Sequence, residues 1–215
     1  IREVLCMKKR FKVGIAIVLL LATVFSQAIF AASGLAKVYY NTNLSIGTTT
    51  NIRSILSNMG YTATQAVNPS PTVVLNAFGD SKVVHVLSHG APGTIAMVNG
   101  SVTANQIRNK YSSLSTQFVF LEGCQMASSS SSNGDLDDTL YGLGVKCTLA
   151  FRNNVSASTD SDGVHYFAHL LYQDINSNNW SVSTSAATAM STLYNRYGNY
   201  YGVDSMVIRG NANIK

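Results

Sequence analysis

Near-continuous apolar runs separated by amphipathic segments constrain this chain more than any other feature. The runs 35–40, 82–88, 117–121 and 147–151 are rich in β-formers. Runs 82–88, 117–121 and 147–151 show little of the polar alternation that a strand with one wet face requires. Residues 61–67 and 205–209 read as two further strands. Between them lie helical patterns. Ile52, Ile55, Leu56 and Met59 share a face within 49–59, and Gly60 closes that helix. Val164, Phe167, Ala168, Leu171 and Ile175 do the same within 161–175, and 183–197 forms another helix. Shorter helices are expected at 72–78, behind Asn68-Pro69-Ser70-Pro71, at 104–111, capped by Thr103, and at 135–143. Strands buried on both faces and alternating with helices predict one doubly wound α/β domain with a mainly parallel, six-stranded sheet and helices on both faces. Asn99-Gly100 predicts a small hairpin within 94–102, residues 89–93 a sharp loop, and the serine run 128–132 a flexible one.

Ligands of such sheets bind beyond the C-terminal ends of the strands. Two reactive side chains arrive there independently: His89 directly after run 82–88, and Cys124 in the Glu122-Gly123-Cys124 segment that closes run 117–121. A thiol attacks as thiolate and needs a base beside it, and imidazole exchanges protons near neutral pH. If the two strands are neighbours, their axes lie about 4.8 Å apart and the end residues face one another across a substrate. Gly90 and Gly123 permit close backbone approach, and the amides of Gly90 and Cys124 are candidate oxyanion donors.

The segments Val83-Val84-His85-Val86-Leu87-Ser88-His89-Gly90 and Phe118-Val119-Phe120-Leu121-Glu122-Gly123-Cys124 resemble the histidine and cysteine motifs of the caspase-like peptidases. That superfamily includes caspases, metacaspases, legumain, gingipains, clostripain, separase and the CHAT domains. The acid–small–Cys order is similar to legumain, metacaspases and clostripain. Gln125-Met126-Ala127 resembles clostripain-like enzymes, and the region 134–189 is more like CHAT domains. The His-to-Cys spacing, 124 minus 89 or 35 residues, is shorter than the about 50 of caspases. It still accommodates a hairpin and one short helix. The resemblance implies a caspase-like fold and a cysteine endopeptidase with Cys124 as nucleophile and His89 as its partner. A non-catalytic peptide-binding module on the same fold is the alternative. A serine hydrolase would want a Gly-x-Ser-x-Gly elbow, which the sequence lacks.

Other cysteine and histidine roles are weighed against this. Cys124 alone would read as a small core thiol. A Cys124–Cys147 disulfide would join opposite ends of parallel strands, beyond the about 7 Å that the bond tolerates, so Cys147 is expected to be a buried free thiol. His85 and His89 have metal-ligand spacing only on a helix, and this segment is a strand. His165 and His169 do have helical spacing but lack a completing ligand set, so no metal site and no cofactor is expected. Asp160 and Asp162 fall in a polar loop beyond run 147–151 and are the weaker pocket candidates, with solvation or calcium binding as the equal alternative.

Glu122 is the only acidic residue between Asp80 and Asp135. If the strand stays extended, its carboxylate shares a face with Cys124. That predicts an S1 carboxylate selecting Arg or Lys, whose cation would also relieve repulsion of the thiolate. Resemblance to metacaspases and clostripain implies the same basic preference, and resemblance to legumain implies Asn as the second choice.

The basic residues are concentrated at the N-terminus. Arg2, Lys8, Lys9, Arg10 and Lys12 precede residue 13, with Glu3 the one acid there. The remaining 10 basic and 9 acidic residues are nearly balanced, which removes the footprint of a nucleic-acid binder. Met7 to Lys12 followed by the apolar run 13–25 and the small residues near Ala31 and Ala32 has the layout of a signal peptide. The expected organisation is an upstream extension at 1–6, a signal peptide at 7–31 and one peptidase domain at 32–215. The mature protein would be extracellular and bacterial in type, meeting a membrane only through that segment and taking polypeptides as substrate.

Overall fold

The computed structural model describes residues 33–42, 44, 50–156 and 162–215. In chain order the elements are β1 (Leu35–Tyr40), α1 (Thr50–Asn58), β2 (Thr62–Val67), α2 (Pro71–Asp80), β3 (Val83–Leu87), β4 (His89–Ala91), β5 (Thr94–Met97) and β6 (Gly100–Thr103). There follow α3 (Ala104–Lys110), β7 (Phe118–Glu122), α4 (Leu136–Gly142), β8 (Cys147–Phe151), α5 (Gly163–Asn178), α6 (Val182–Tyr197), a 3-10 turn (Val203–Ser205) and β9 (Met206–Gly210). Six strands form one sheet in the order β2-β1-β3-β7-β8-β9. All its pairings are parallel except β8 with β9.

The period-two geometry of buried strands explains why the sheet needs helices on both sides. Val83, Phe118, Phe120, Cys147, Leu149 and Phe151 enter one core with side chains from α1, α5 and α6. Val84, Val86, Val119, Leu121 and Ala150 point the other way, into a core with residues of α2, α3, α4 and the small sheet β4-β5-β6. Every residue of β3, β7 and β8 is buried, so neither face of the central strands meets water.

Local caps end the helices where the sequence indicates. Thr103 and Gln106 form a reciprocal capping box at the start of α3. The side chain of Asp135 accepts from the amides of Asp137 and Asp138 at the start of α4.

Two segments are more ordered than their composition predicts. The expected loop after β3 is strand β4, because Gly93 takes a left-handed turn (φ 68°) that lets His89–Ala91 pair antiparallel with β5. The serine run is not a loose loop. Ser130 and Gly134 exchange backbone hydrogen bonds of 2.8 and 2.7 Å, Asn105 Nδ2 donates to the Ser132 carbonyl, and the Arg108 guanidinium donates to that of Asn133.

Chain direction across the sheet reverses between β1 and β3, since β2 lies to one side of β1 while β3, β7 and β8 follow on the other. The carboxyl ends of the strands beside that reversal are where a doubly wound sheet opens a crevice.

Candidate active site

β3 and β7 are adjacent and parallel, with Leu87 opposite Glu122. The amide of Ser88 donates to the Glu122 carbonyl at 3.1 Å, carrying the ladder one residue further. His89 and Cys124 each lie two residues beyond that last register pair, at the same end of neighbouring strands. The chains then part. One enters β4, and the other turns through Gln125, a non-glycine residue with φ 56°.

Two glycines lock these ends together. A methyl group on Gly90 would lie 2.2 Å from the carbonyl oxygen of Cys124, and one on Gly123 would lie 2.2 Å from that of Ser88. Each motif's glycine therefore rests on the other motif's backbone. Neither takes a left-handed φ, so glycine is needed for proximity and not for conformation. The buried side chain of Met126 fills the space beside both.

Cys124 is half-buried, and its thiol donates to the Val155 carbonyl at 3.4 Å. The same loop supports the turn behind it, where the amide of Gln125 donates to the Asn153 carbonyl at 3.1 Å and that of Ala127 to Phe151 at 2.9 Å. His89 is exposed on β4, opposite Ala96. No hydrogen bond links it to Cys124 among the described residues; the thiol rests on Val155. Cys147 is free as well, but it opens β8 opposite Phe118, at the other end of the sheet. Burial pushes its thiol up to about 12, the chemistry of an inert core cysteine.

A buried polar group behind His89 was not read from the sequence. Asn41, just past β1, donates from Nδ2 to Ser88 Oγ at 3.0 Å and to the Ala96 carbonyl at 3.1 Å. Ser88 Oγ in turn contacts the carbonyls of Ala96 and His89. The signal available was an asparagine directly after an apolar strand run, where a buried amide must find partners.

Glu122 corrects the sequence reading. It has no solvent exposure and lies on the face covered by α1, α5 and α6, with Phe118 and Phe120. His165 Nδ1 bonds Oε1 at 3.0 Å, and His85 Nε2 lies 2.9 Å from Oε2, close but off the hydrogen-bond line. The Tyr172 hydroxyl meets the other ring nitrogen of His85 at 3.4 Å. Glu122 therefore cannot serve as an S1 carboxylate. The assumption that fails is an extended chain through Cys124, because the strand stops at Glu122 and the next residues turn. Asp160, the other expected pocket residue and a calcium candidate, lies outside the described residues. Asp162 is the N-cap residue of α5. Among the described residues no group of three or more His, Cys, Asp or Glu side chains is arranged to hold a metal.

Burial works to raise the Glu122 carboxyl, but His165 and His85 outweigh it and hold it at about 2. Burial holds His85 below its ordinary value despite Glu122. The two shifts have the same consequence. Below its ordinary value of 4.5, the unfolded Glu122 takes up a proton that the folded one refuses, and His85 behaves likewise below 6.5. Stability is thus lost as pH falls through these ranges. The melting temperature should drop from pH 7 towards pH 3. In Glu122→Gln the part of the drop below about pH 4.5 should flatten, which thermal unfolding across pH will show.

An open cleft of about 440 Å³ lies where β8 ends and β9 begins, lined by Arg152, Asn153, Asp204, Ser205 and the half-buried start of β9. Asn153 ties it to the turn after Cys124 through the Gln125 amide. Neither Arg152 nor Asp204 forms an ion pair among the described residues.

No family model matches the chain, and no curated protein is similar to it in sequence. Solved structures are similar in fold. Separase, in the Saccharomyces cerevisiae separase–securin complex, superposes with a TM-score of 0.57 at 17% identity over 89% of this chain and 13% of its own. The Arg-specific cysteine proteinase gingipain R gives 0.58 at 14% identity over 90% and 52%. Caspase-1 from Spodoptera frugiperda gives 0.53 at 13% over 82% and 88%. The chain thus spans a small part of the separase chain and about half of the gingipain chain. The architecture common to all three is the caspase-like fold.

Proposed function

We propose that this caspase-like fold works as a secreted cysteine endopeptidase, with Cys124 as nucleophile and His89 as general base. The observation that carries the proposal is the glycine interlock, which sets the two motifs against each other at the ends of β3 and β7. In the reaction the thiol leaves Val155 and gives its proton to the His89 ring. The thiolate attacks the scissile carbonyl carbon, and the oxyanion accepts hydrogen bonds from the amides of Gly90 and Cys124. His89 then protonates the departing amine. Water, deprotonated by His89, releases the acyl group from Cys124. The close backbone approach at Gly90 and Gly123 supports this choice of amide donors.

The substrate is a polypeptide. Cleavage after Arg or Lys is supported by the likeness to an Arg-specific proteinase and by Asp204, which takes the place that Glu122 cannot fill. A guanidinium entering the cleft would pair with this carboxylate. A peptide library varied at P1 tests this. Basic P1 should dominate, iodoacetamide should stop cleavage, and Asp204→Asn should lower basic cleavage at least about fivefold. Dominance of acidic P1 would assign the cleft to Arg152 instead. Export through the segment 7–31 completes the proposal. The exported protein should begin after Ala31 or Ala32, as N-terminal sequencing would show, and 32–215 should act as the peptidase domain.

A further inference from the structure

The His85–Glu122–His165 cluster lies under the catalytic strand ends, and the reaction just described makes no use of it. Burying a carboxylate and two imidazoles is costly unless their contacts are kept. These contacts join three elements at one point: His85 from β3, Glu122 from β7 and His165 from α5.

A short series of bonds runs from the cluster to the thiol. His165 stands at the start of α5. The amide of its neighbour Val164 donates to the Ser156 carbonyl at 3.0 Å. The adjacent Val155 carbonyl accepts from the Cys124 thiol. The circuit closes through the backbone, since Cys124 follows Glu122 by two residues. A second bond, from the Gln125 amide to the Asn153 carbonyl, ties the same loop to the turn after the nucleophile. The loop 152–156 is thus held to the cysteine turn directly, and to β7 through α5.

We propose that Glu122 is a positioning residue. Through His165 it fixes the start of α5, and through α5 the loop 152–156 that sets where the Cys124 thiol rests. His85 packs against the second carboxylate oxygen, with Nε2 2.9 Å from Oε2. The Tyr172 hydroxyl backs His85, and Phe120 packs edge-on against its ring at 4.9 Å. The role in turnover rests on the proposed peptidase reading. The structural linkage from Glu122 to the loop does not.

The test compares the full protein with Glu122→Gln, which keeps the shape and removes the charge. His165→Asn, whose amide can stand in for Nδ1, and His165→Leu, which cannot, are the companion variants. All are assayed well below their melting temperatures. Hydrogen exchange reads the amides of Gln125, Ser156 and Val164 against those of Val119 and Leu121 in β7. Turnover is normalised to titrated Cys124. Glu122→Gln and His165→Leu should speed exchange in the first set on the order of tenfold while β7 keeps its protection. They should lower kcat on the order of tenfold with KM within about twofold, and His165→Asn should recover most of both. Unchanged local exchange in Glu122→Gln and His165→Leu would overturn the proposal. So would faster exchange with unchanged kcat per folded molecule, since the cluster would then serve stability alone. If the wild-type protein cleaves no peptide, the peptidase reading fails, and the exchange data still decide whether Glu122 holds the loop.

Discussion

Cys124→Ala and His89→Ala should each lower peptide cleavage by at least about 10³-fold while leaving the melting temperature within a few degrees of the parent. The size follows from the chemistry. Without Sγ no acyl-enzyme forms, and without the imidazole nothing near neutral pH takes the thiol proton or returns it to the leaving amine. The structural effect should be small because His89 is exposed and Cys124 is half-buried. The double variant should be scarcely worse than either single one, as expected for two groups acting in one step. Steady-state kinetics on the best library peptide, beside thermal unfolding, checks all three.

The second large effect concerns no reactive group. Gly90→Ala and Gly123→Ala each place a methyl 2.2 Å from a carbonyl oxygen of the opposing motif. Backbone cannot step aside as the end of a flexible side chain can. Each variant should therefore lose more than the about 1–3 kcal/mol usual for an inserted methyl group. Any folded protein that remains should have its two strand ends pushed apart and should cleave at least about 10²-fold more slowly. Gly142→Ala is the control, because a methyl there meets nothing within 4 Å. Denaturant unfolding and turnover of the three variants give the comparison, and wild-type behaviour of Gly90→Ala or Gly123→Ala would refute the interlock.

Much of the fold was legible because its strands are buried on both sides. A run such as Phe118-Val119-Phe120-Leu121 has few other places to go, and its side chains divide between two cores as the strand period requires. The positions of His89 and Cys124 were legible for the same reason, since each follows a strand whose end could be seen. Glu122 was misplaced because the chain turns directly after it, so the alternation that would have set Cys124 on its face does not continue past β7. The partners that bury it, His85 and His165, lie 37 and 43 residues away in sequence, so no local pattern joins them. Asn41 was missed likewise, since its partners Ser88 and Ala96 reach it only across the sheet. The serine run was misread because, beside the bonds of its own Ser130, it is pinned from a distance by Asn105 and Arg108 of α3, which donate to the carbonyls of Ser132 and Asn133.

On the proposed reaction, Cys124, activated by His89, is the group that meets a peptide carbonyl. Covalent labelling with a peptidyl acyloxymethyl ketone carrying a basic P1 residue, followed by peptide mass spectrometry, addresses it most directly. A single adduct on Cys124 is expected. Cys147 should be spared because burial holds its thiol in the protonated form, and labelling should slow by at least about 10²-fold in His89→Ala. An adduct on Cys147 in the folded protein, or labelling of Cys124 at the same rate with and without the His89 imidazole, would contradict it.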